Sequence, residues 1–459
     1  MLEKAVEKLK EIFSKEGVIR IITHLDTDGL TSAVIFSEAL KKNKQIFWIT
    51  TVKQLEDEFL QDLRQQAERQ KWKALVFLDL GSSMLSKLKV FSTYTDVFVI
   101  DHHELEQNFD KSMNLENFYF LSSSFYHEKI SASCLTYLFV KKFFDNKKLA
   151  QVAIIGLIGD VLDKNIGKIA KGILQDAQES GMQIKKGLTV FSSMRPVHKA
   201  LEFSNIFIPG VTGYANGALE MLKELGIEVK TNQGYRTLLD LNKEELSRLI
   251  TGILLRRINN GHDQEILDNI YLIKIGSRLF DAREVSSMIN ACGRFGYSSL
   301  AIAFLSGSKR AQEKIEDVYT KYRSYIIRAL NLVNGMKKIQ GEDFVIINAK
   351  NAIKDTIIGT VVSILSSSFL YKPGTIIVGM AYRTDNKIKV SARIVKGSDS
   401  EINLYHLLYS IVSIIGGEVG GHSNAAGCLI SKEKEQEFLE LLEKKLNAQE
   451  IKLVVKEKL

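Results

Sequence analysis

Cysteine and proline are scarce, with three of each among 459 residues. Cys134, Cys292 and Cys428 are far apart and odd in number, which excludes a disulfide framework and a paired-thiolate zinc site. That usage predicts a reduced, cytoplasmic setting. So few prolines exclude Pro-rich linkers between domains. No stretch reaches the ~18 uninterrupted apolar residues of a membrane helix, so no membrane role is expected. The opening segment MLEKAVEKLKEIFSKEG carries acids throughout and has no apolar core, unlike a signal peptide. Internal repeats and low-complexity tracts are absent.

What is present is an ordinary globular composition, 45% hydrophobic and 25% charged. At roughly 100–200 residues per domain the length predicts two to four domains. Lys and Arg number 62 against 54 Asp and Glu, a balance of +8 that permits a polyanionic partner without demanding one. Short β-branched or apolar runs predict strands at Val18–Thr23, Ala74–Leu78 and Val97–Ile100. Helical periodicity follows over Leu30–Lys42, and an apolar helical stretch, Leu149–Gly159, runs into Asp160. Strands alternating with helices predict an α/β domain with a mostly parallel sheet. Met194–Gly213 reads as a boundary. Residues 214–270 read as mainly helical, with Asn242 and Glu245 spaced as an N-terminal cap. Helices are also expected at Asp281–Gly293 and Gln312–Val333. A second α/β pattern begins at Phe344–Asn348, continues through Thr375–Met380 and Ile388–Ile394, and reaches a glycine-rich segment, Gly416–Gly427, before a closing helix over 433–447.

Acid and His clusters stand at the carboxyl ends of predicted elements: His24/Asp26/Asp28, Asp79, Asp101/His102/His103 and Asp160. In open α/β sheets the ligand crevice lies outside the carboxyl ends of the strands, so these clusters can converge. One Asp after a strand is ordinary turn or cap chemistry. Four such clusters at one topological place are not. Imidazole and carboxylate without thiolate suit Mn²⁺ or Mg²⁺, and two metals would balance so many anions and suit phosphoryl displacement.

His24-Leu-Asp-Thr-Asp-Gly29, Asp79, Asp101-His-His103 and Asp160 resemble the four motifs of the DHH phosphoesterase superfamily. Gly420-Gly-His-Ser-Asn-Ala-Ala-Gly427 resembles the GGHxxAAG signature of the DHH-associated C-terminal domain. Together they span nearly the whole chain, in the order found in archaeal RecJ-like exonucleases, including the GINS-associated nucleases. The resemblance implies a catalytic metal-binding DHH domain over 1–190, a mostly helical insertion over 191–280, a return with a connector helix over 281–340, and a smaller α/β substrate-binding domain over 341–459, with an active-site cleft between the two α/β domains. It implies one Mn²⁺ or Mg²⁺ on His24, Asp26 and Asp79 and another on Asp28, Asp79, His102 and Asp160, with Asp79 bridging. Asp101 would orient the His ligands, His103 would face the scissile phosphate, and a metal-bridged hydroxide would attack phosphorus. Arg393, Gly420, Gly421 and His422 would hold substrate phosphate.

Arg283 and Arg294 are candidate backbone-phosphate contacts or helix-capping surface residues. Lys314, Lys321 and Arg328, interleaved with Tyr319, Tyr322 and Tyr325, form either a strand-tracking strip or the solvated face of a connector. Ser131 and Ser133 either bind phosphate or cap the helix that carries Cys134. The implied reaction is stepwise hydrolysis of single-stranded DNA or RNA to mononucleotides, in replication, repair or RNA turnover. Two alternatives stand beside it. One is an oligoribonuclease or cyclic-dinucleotide phosphodiesterase. The other is a replication scaffold that binds GINS-like or helicase partners through 191–280.

Overall fold

The computed structural model describes residues 2–457 except 107–115, 127, 165, 191, 205, 207, 233, 258–265, 368–369 and 396–401. The chain divides into two compact units, Met1–Met194 with Leu267–Thr320, and Arg195–Ile266 with Lys321–Leu459.

The first unit opens with α1 (Leu2–Phe13), β1 (Val18–His24), α2 (Thr27–Lys42), β2 (Ile46–Val52), α3 (Asp57–Gln70) and β3 (Ala74–Leu78). It continues through α4 (Leu85–Lys89), β4 (Asp96–Asp101), β5 (Phe118–Ser122), α5 (Ala132–Lys141), α6 (Lys148–Gly159), α7 (Lys168–Glu179) and β6 (Gln183–Leu188). Strands β1 to β5 form one sheet in the order β2-β1-β3-β4-β5, parallel throughout. Composition explains this. The Ala74–Leu78 strand is buried along its whole length, as both faces of a parallel sheet covered by helices require. One face packs Ile22, Leu75, Phe77, Val97, Val99 and Phe120 against Leu60, Leu63, Trp72, Leu85 and Leu88. Each such side chain contributes about 1.5–3 kcal/mol by leaving water. The sheet order reverses direction between β1 and β3, and that switch point is where a doubly wound sheet opens its ligand crevice. Sequence patterning marked three of these strands. β2 and β5 come from the structure.

The chain then passes through α8 (Val197–Glu202), α9 (Ala215–Glu224), the short pair β7 (Lys230–Thr231) and β8 (Gly234–Tyr235), and α10 (Lys243–Arg257), all in the second unit. The reciprocal cap expected at Asn242 is present: Glu245 N–H donates to Asn242 Oδ1 at 2.9 Å and Asn242 N–H to Glu245 Oε2 at 3.0 Å. Return to the first unit comes at Leu267, earlier than the residue 281 expected from the sequence. The reason is β9 (Leu267–Ile275), which pairs antiparallel with β6 and so belongs to the first unit. The helical reading of 214–270 therefore ends before its last residues. β10 (Arg278–Asp281), α11 (Ala282–Arg294), α12 (Ser298–Leu305) and α13 (Lys309–Gly335) follow.

The second unit is completed by β11 (Ile339–Gln340), β12 (Phe344–Asn348), α14 (Asp355–Ser366), β13 (Ile376–Tyr382), β14 (Lys387–Ile394), α15 (Leu404–Ile415), β15 (Glu418–His422), β16 (Ala425–Ser431) and α16 (Glu435–Glu457). Its mixed six-stranded sheet runs β11-β12-β13-β14-β16-β15. Val378, Met380, Val390 and Cys428 pack there with Leu404, Leu408, Ile411 and Phe438. Among the described residues no helix is long and apolar enough to cross a membrane.

Candidate metal centre

The first ligand loop is shaped by its own sequence. His24 ends β1, and Asp26 caps α2 by accepting the Gly29 N–H at Oδ1, 3.1 Å. Gly29 is required because a Cβ there would lie 2.4 Å from the His24 carbonyl oxygen. Asp28, in the first turn of α2, is fully buried. Its two oxygens accept the Ala132 and Ser133 N–H groups at 2.6 and 3.0 Å, at the amino end of α5, where a carboxylate is favoured. This resolves the two readings of the serines. Ser131 caps α5 through the Cys134 N–H, and the amide of Ser133 is taken by Asp28, so this helix end is filled from within the chain.

Asp79 follows β3 with φ +60, a left-handed conformation that Asp tolerates better than most residues, and it is buried. It presents Oδ2 to His24 Nδ1 at 3.4 Å and Oδ1 to His102 Nε2 at 3.5 Å. His24 Nδ1 also lies 2.9 Å from Asp26 Oδ2. His102 Nε2 lies 3.1 Å from Asp160 Oδ2 and 3.9 Å from Asp28 Oδ2. Asp101, buried, accepts the Ser82 N–H at one oxygen and the His102 N–H at the other, both at 2.8 Å. The second oxygen also meets His103 Nδ1 at 2.7 Å, which fixes that ring. Among the described residues, three overlapping sets of ligand atoms lie close enough to hold an ion: His24, Asp26 and Asp79; Asp28, His102 and Asp160; and Asp79, His102 and His103. The last is an addition to the sequence reading, which reserved His103 for substrate.

Electrostatics make the fit to cations specific. Burial, then the charges of Asp26, Asp28 and Asp160, holds the Asp79 carboxyl well above the usual carboxylate range. Burial, then the charge of Asp160, pushes Asp28 up to about 7. Burial would lower His102, but its close pairing with Asp160 and the surrounding carboxylates raise it to about 9. Burial alone would raise Asp26 and Asp101, yet His24 and His103 hold them below the ordinary carboxylate range. Asp79 Oδ1, Asp160 Oδ2 and His24 Nδ1 are buried with no hydrogen-bond partner. Such groups are normally satisfied, and divalent ions would satisfy all three.

The remaining candidates lie elsewhere. Arg283 is committed inside the unit, 2.6 Å from Asp163 and 3.7 Å from Asp268, with its face over Tyr271. Those contacts engage its guanidinium within the unit. Arg294 is half-buried in the last turn of α11. In the second unit, Gly420, Gly421 and His422 lie exposed on the edge strand β15, and Arg393 on β14 donates to the Ala392 and Ala426 carbonyls. Lys314, Lys321 and Arg328 are exposed on α13, but Tyr319 and Tyr322 are buried, and the Tyr325 hydroxyl accepts the Lys354 N–H. That face offers charge without a row of stacking rings.

Helix α11 supports the ligand loop in a way the sequence did not show. Thr27 Oγ1 donates to the Ser286 carbonyl at 2.8 Å, and a Cβ at Gly293 would lie 1.7 Å from the Leu25 carbonyl oxygen. Gly293→Ala must push the loop from the helix, so a loss of at least about 1–3 kcal/mol is expected, read as a lower melting temperature.

Three family descriptions match in chain order: "DHH family, N-terminal domain" over 18–159, "DHH-CID domain" over 192–271 and "DHHA1 domain" over 342–448. An uncharacterized protein of Methanocaldococcus jannaschii, MJ0831, is 27% identical over 466 residues, covering 98% of each chain. CDC45 from Entamoeba histolytica superposes with a TM-score of 0.69 at 10% identity, over 96% of this chain and 98% of that one. RecJ from Thermus thermophilus, in complex with Mn²⁺, gives 0.58 at 15% identity, over 96% of this chain and 54% of that one. These two likenesses establish a shared fold. In sequence, then, the chain carries a DHH-family N-terminal domain, a DHH-CID domain and a DHHA1 domain, and it shares the fold of RecJ.

Proposed function

We propose that this protein is a phosphodiesterase that hydrolyses single-stranded DNA or RNA stepwise from an end, using two Mn²⁺ or Mg²⁺ ions. The observation that carries this reading is the pair of ligand sets sharing the crevice at the sheet's switch point, with one oxygen of Asp79 turned toward each. In the proposal His24, Asp26 and Asp79 hold one ion, and Asp28, Asp79, His102 and Asp160 hold the other. When bound, such ions supply a water acidic enough to ionise near neutrality and offset charge on the attacking and leaving oxygens. The chain's own residues do the rest. The α5 amides keep Asp28 aimed into the crevice, and Asp101 orients His103 toward the scissile phosphate. In the second unit the exposed Gly420-Gly421-His422 edge, together with Arg393, is the proposed phosphate-gripping surface. On α15 the exposed Tyr409 stacks on the half-buried Tyr405, a ring pair that suits a nucleobase.

The test uses purified protein with Mn²⁺ and strands labelled at the 5′ or 3′ end, free or blocked. Mononucleotide release from one end is expected. Turnover of a dinucleotide much faster than of a long strand would favour the small-substrate phosphodiesterase instead. No hydrolysis of either would overturn the enzymatic reading.

A second reading, scaffolding, is supported by apolar side chains on the insertion: Tyr214 is 65% and Leu255 63% exposed. It predicts a stoichiometric complex with a GINS-like partner that is lost in Leu255→Ser, with hydrolysis unchanged.

A further inference from the structure

We infer that Arg283 is a positioning residue for Asp160, acting through Asp163 and the strained turn between them. The inference rests on the metal reading of Asp160. Asp160 ends α6, and Val161 follows it at φ +59. A β-branched residue rarely takes that left-handed conformation, and strain of this kind persists only where the surroundings impose it. The Val161 side chain is 64% exposed, so core packing is not what imposes it.

The turn is instead held from both sides. Behind it, Val161 N–H donates to the Ile158 carbonyl and Leu162 N–H to that of Leu157, each at 3.1 Å. Ahead of it, buried Asp163 meets Arg283 Nη2 at 2.6 Å. Arg283 is itself fixed. Nη1 donates to the Asn269 carbonyl, the guanidinium lies 5.6 Å from the Tyr271 ring centroid, and its backbone N–H donates to Asp281 Oδ1 at 3.0 Å. The planar fork suits this combination of ion pair, carbonyl and ring as an ammonium would not.

The same helix also holds the other ligand loop, through Thr27 and Ser286. Thr27 stands between Asp26 and Asp28, and Asp163 stands three residues beyond Asp160. One rigid face of α11 therefore sets the separation of two ligand loops more than 130 positions apart in the chain. Asp160 Oδ2 is buried without a hydrogen-bond partner, 3.1 Å from His102 Nε2, so small movements of the turn act directly on the ligand set.

The experiment is Mn²⁺ titration of the metal-free full-length protein by calorimetry, with melting curves of the same samples. The wild type is expected to bind two ions. Arg283→Met is expected to weaken one site by about 10–100-fold and leave the other unchanged. Arg283→Lys, which keeps the charge, should recover part of that loss. Val161→Gly separates positioning from general stability, because glycine takes this conformation without steric strain. It should leave the metal-free melting temperature little changed, since relief of strain and the freer unfolded chain oppose each other, and yet weaken the same site, and it serves if Arg283→Met does not fold. Unchanged affinity at both sites in Arg283→Met and Val161→Gly overturns the inference. A raised KM for nucleic acid with Mn²⁺ affinity intact would return Arg283 to substrate contact. A wild type that binds no Mn²⁺ overturns the metal reading itself.

Discussion

Asp79→Ala is expected to abolish Mn²⁺-dependent hydrolysis, with a fall of at least about 10³-fold, since losing roughly 4 kcal/mol of metal-borne charge stabilisation is three decades in rate. Asp79 is the only carboxylate that faces both His24 and His102 among the described residues, so its loss strikes both ligand sets together. Alanine at φ +60 adds backbone strain unrelated to the chemistry. Asp79→Asn avoids this, because asparagine accepts the left-handed conformation and has the same shape. Without metal, burial and the neighbouring acids hold the Asp79 carboxyl well above the usual carboxylate range, so the neutral amide removes a charge that the metal-free fold disfavours. Asp79→Asn should therefore match or exceed the wild type in metal-free melting temperature while losing activity to the same extent as the alanine variant. Activity within tenfold of wild type would remove Asp79 from the proposed mechanism.

The second large effect is a pH-dependent loss of stability on metal removal. Asp28, raised to about 7, holds a proton in the fold that the unfolded chain releases near pH 4. Folding stability from this group falls as pH rises between those values. His102, raised to about 9, adds stability that is fully present below about 6.5 and lost as pH climbs through 9. Asp79, raised in the same sense as Asp28, adds to the decline. Asp26 and Asp101 run the other way, but their contribution is lost only in strong acid, below the ordinary carboxylate range. From pH 5.5 to 8.5 the chelated protein should therefore melt at steadily lower temperature. Mn²⁺ should reverse the trend, because it binds the ionised acids. At a hundred times its dissociation constant each ion adds about 2.7 kcal/mol. Melting curves across that window with EDTA and with Mn²⁺ are the measurement. Parallel curves would show that the cluster does not take up the ion.

Much of this was legible before any coordinates. The β-branched runs, the cap at Asn242 and Glu245 and the Asp-after-strand positions are local signals, since each depends on residues within one turn or one strand. That locality also sets their limit. β2 and β5 were not marked, although β2 fills the sheet edge that creates the switch point. By sequence Ser131 and Ser133 suit capping and phosphate binding alike, because the group that settles the matter, Asp28, lies over a hundred positions away. The Arg283 ion pair is hidden for the same reason: Asp163 is 120 residues distant, and nothing in the local sequence announces it.

The sequence by itself determined the residue types. Imidazoles and carboxylates without thiolates stand at element ends, in a chain with too few cysteines and prolines for other architectures. It also determined the strand-and-helix alternation that puts those ends on one side of a sheet, because period and β-branching act over a few residues. Only the tertiary structure decided the rest. It chose the strand order that brings Asp79 between His24 and His102, the amides that receive Asp28, and the α11 contacts that hold Thr27 and Asp163. These are pairings across 23 to 259 positions. They are selected by burial and by the need to satisfy every buried polar group, and no spacing along the chain encodes them.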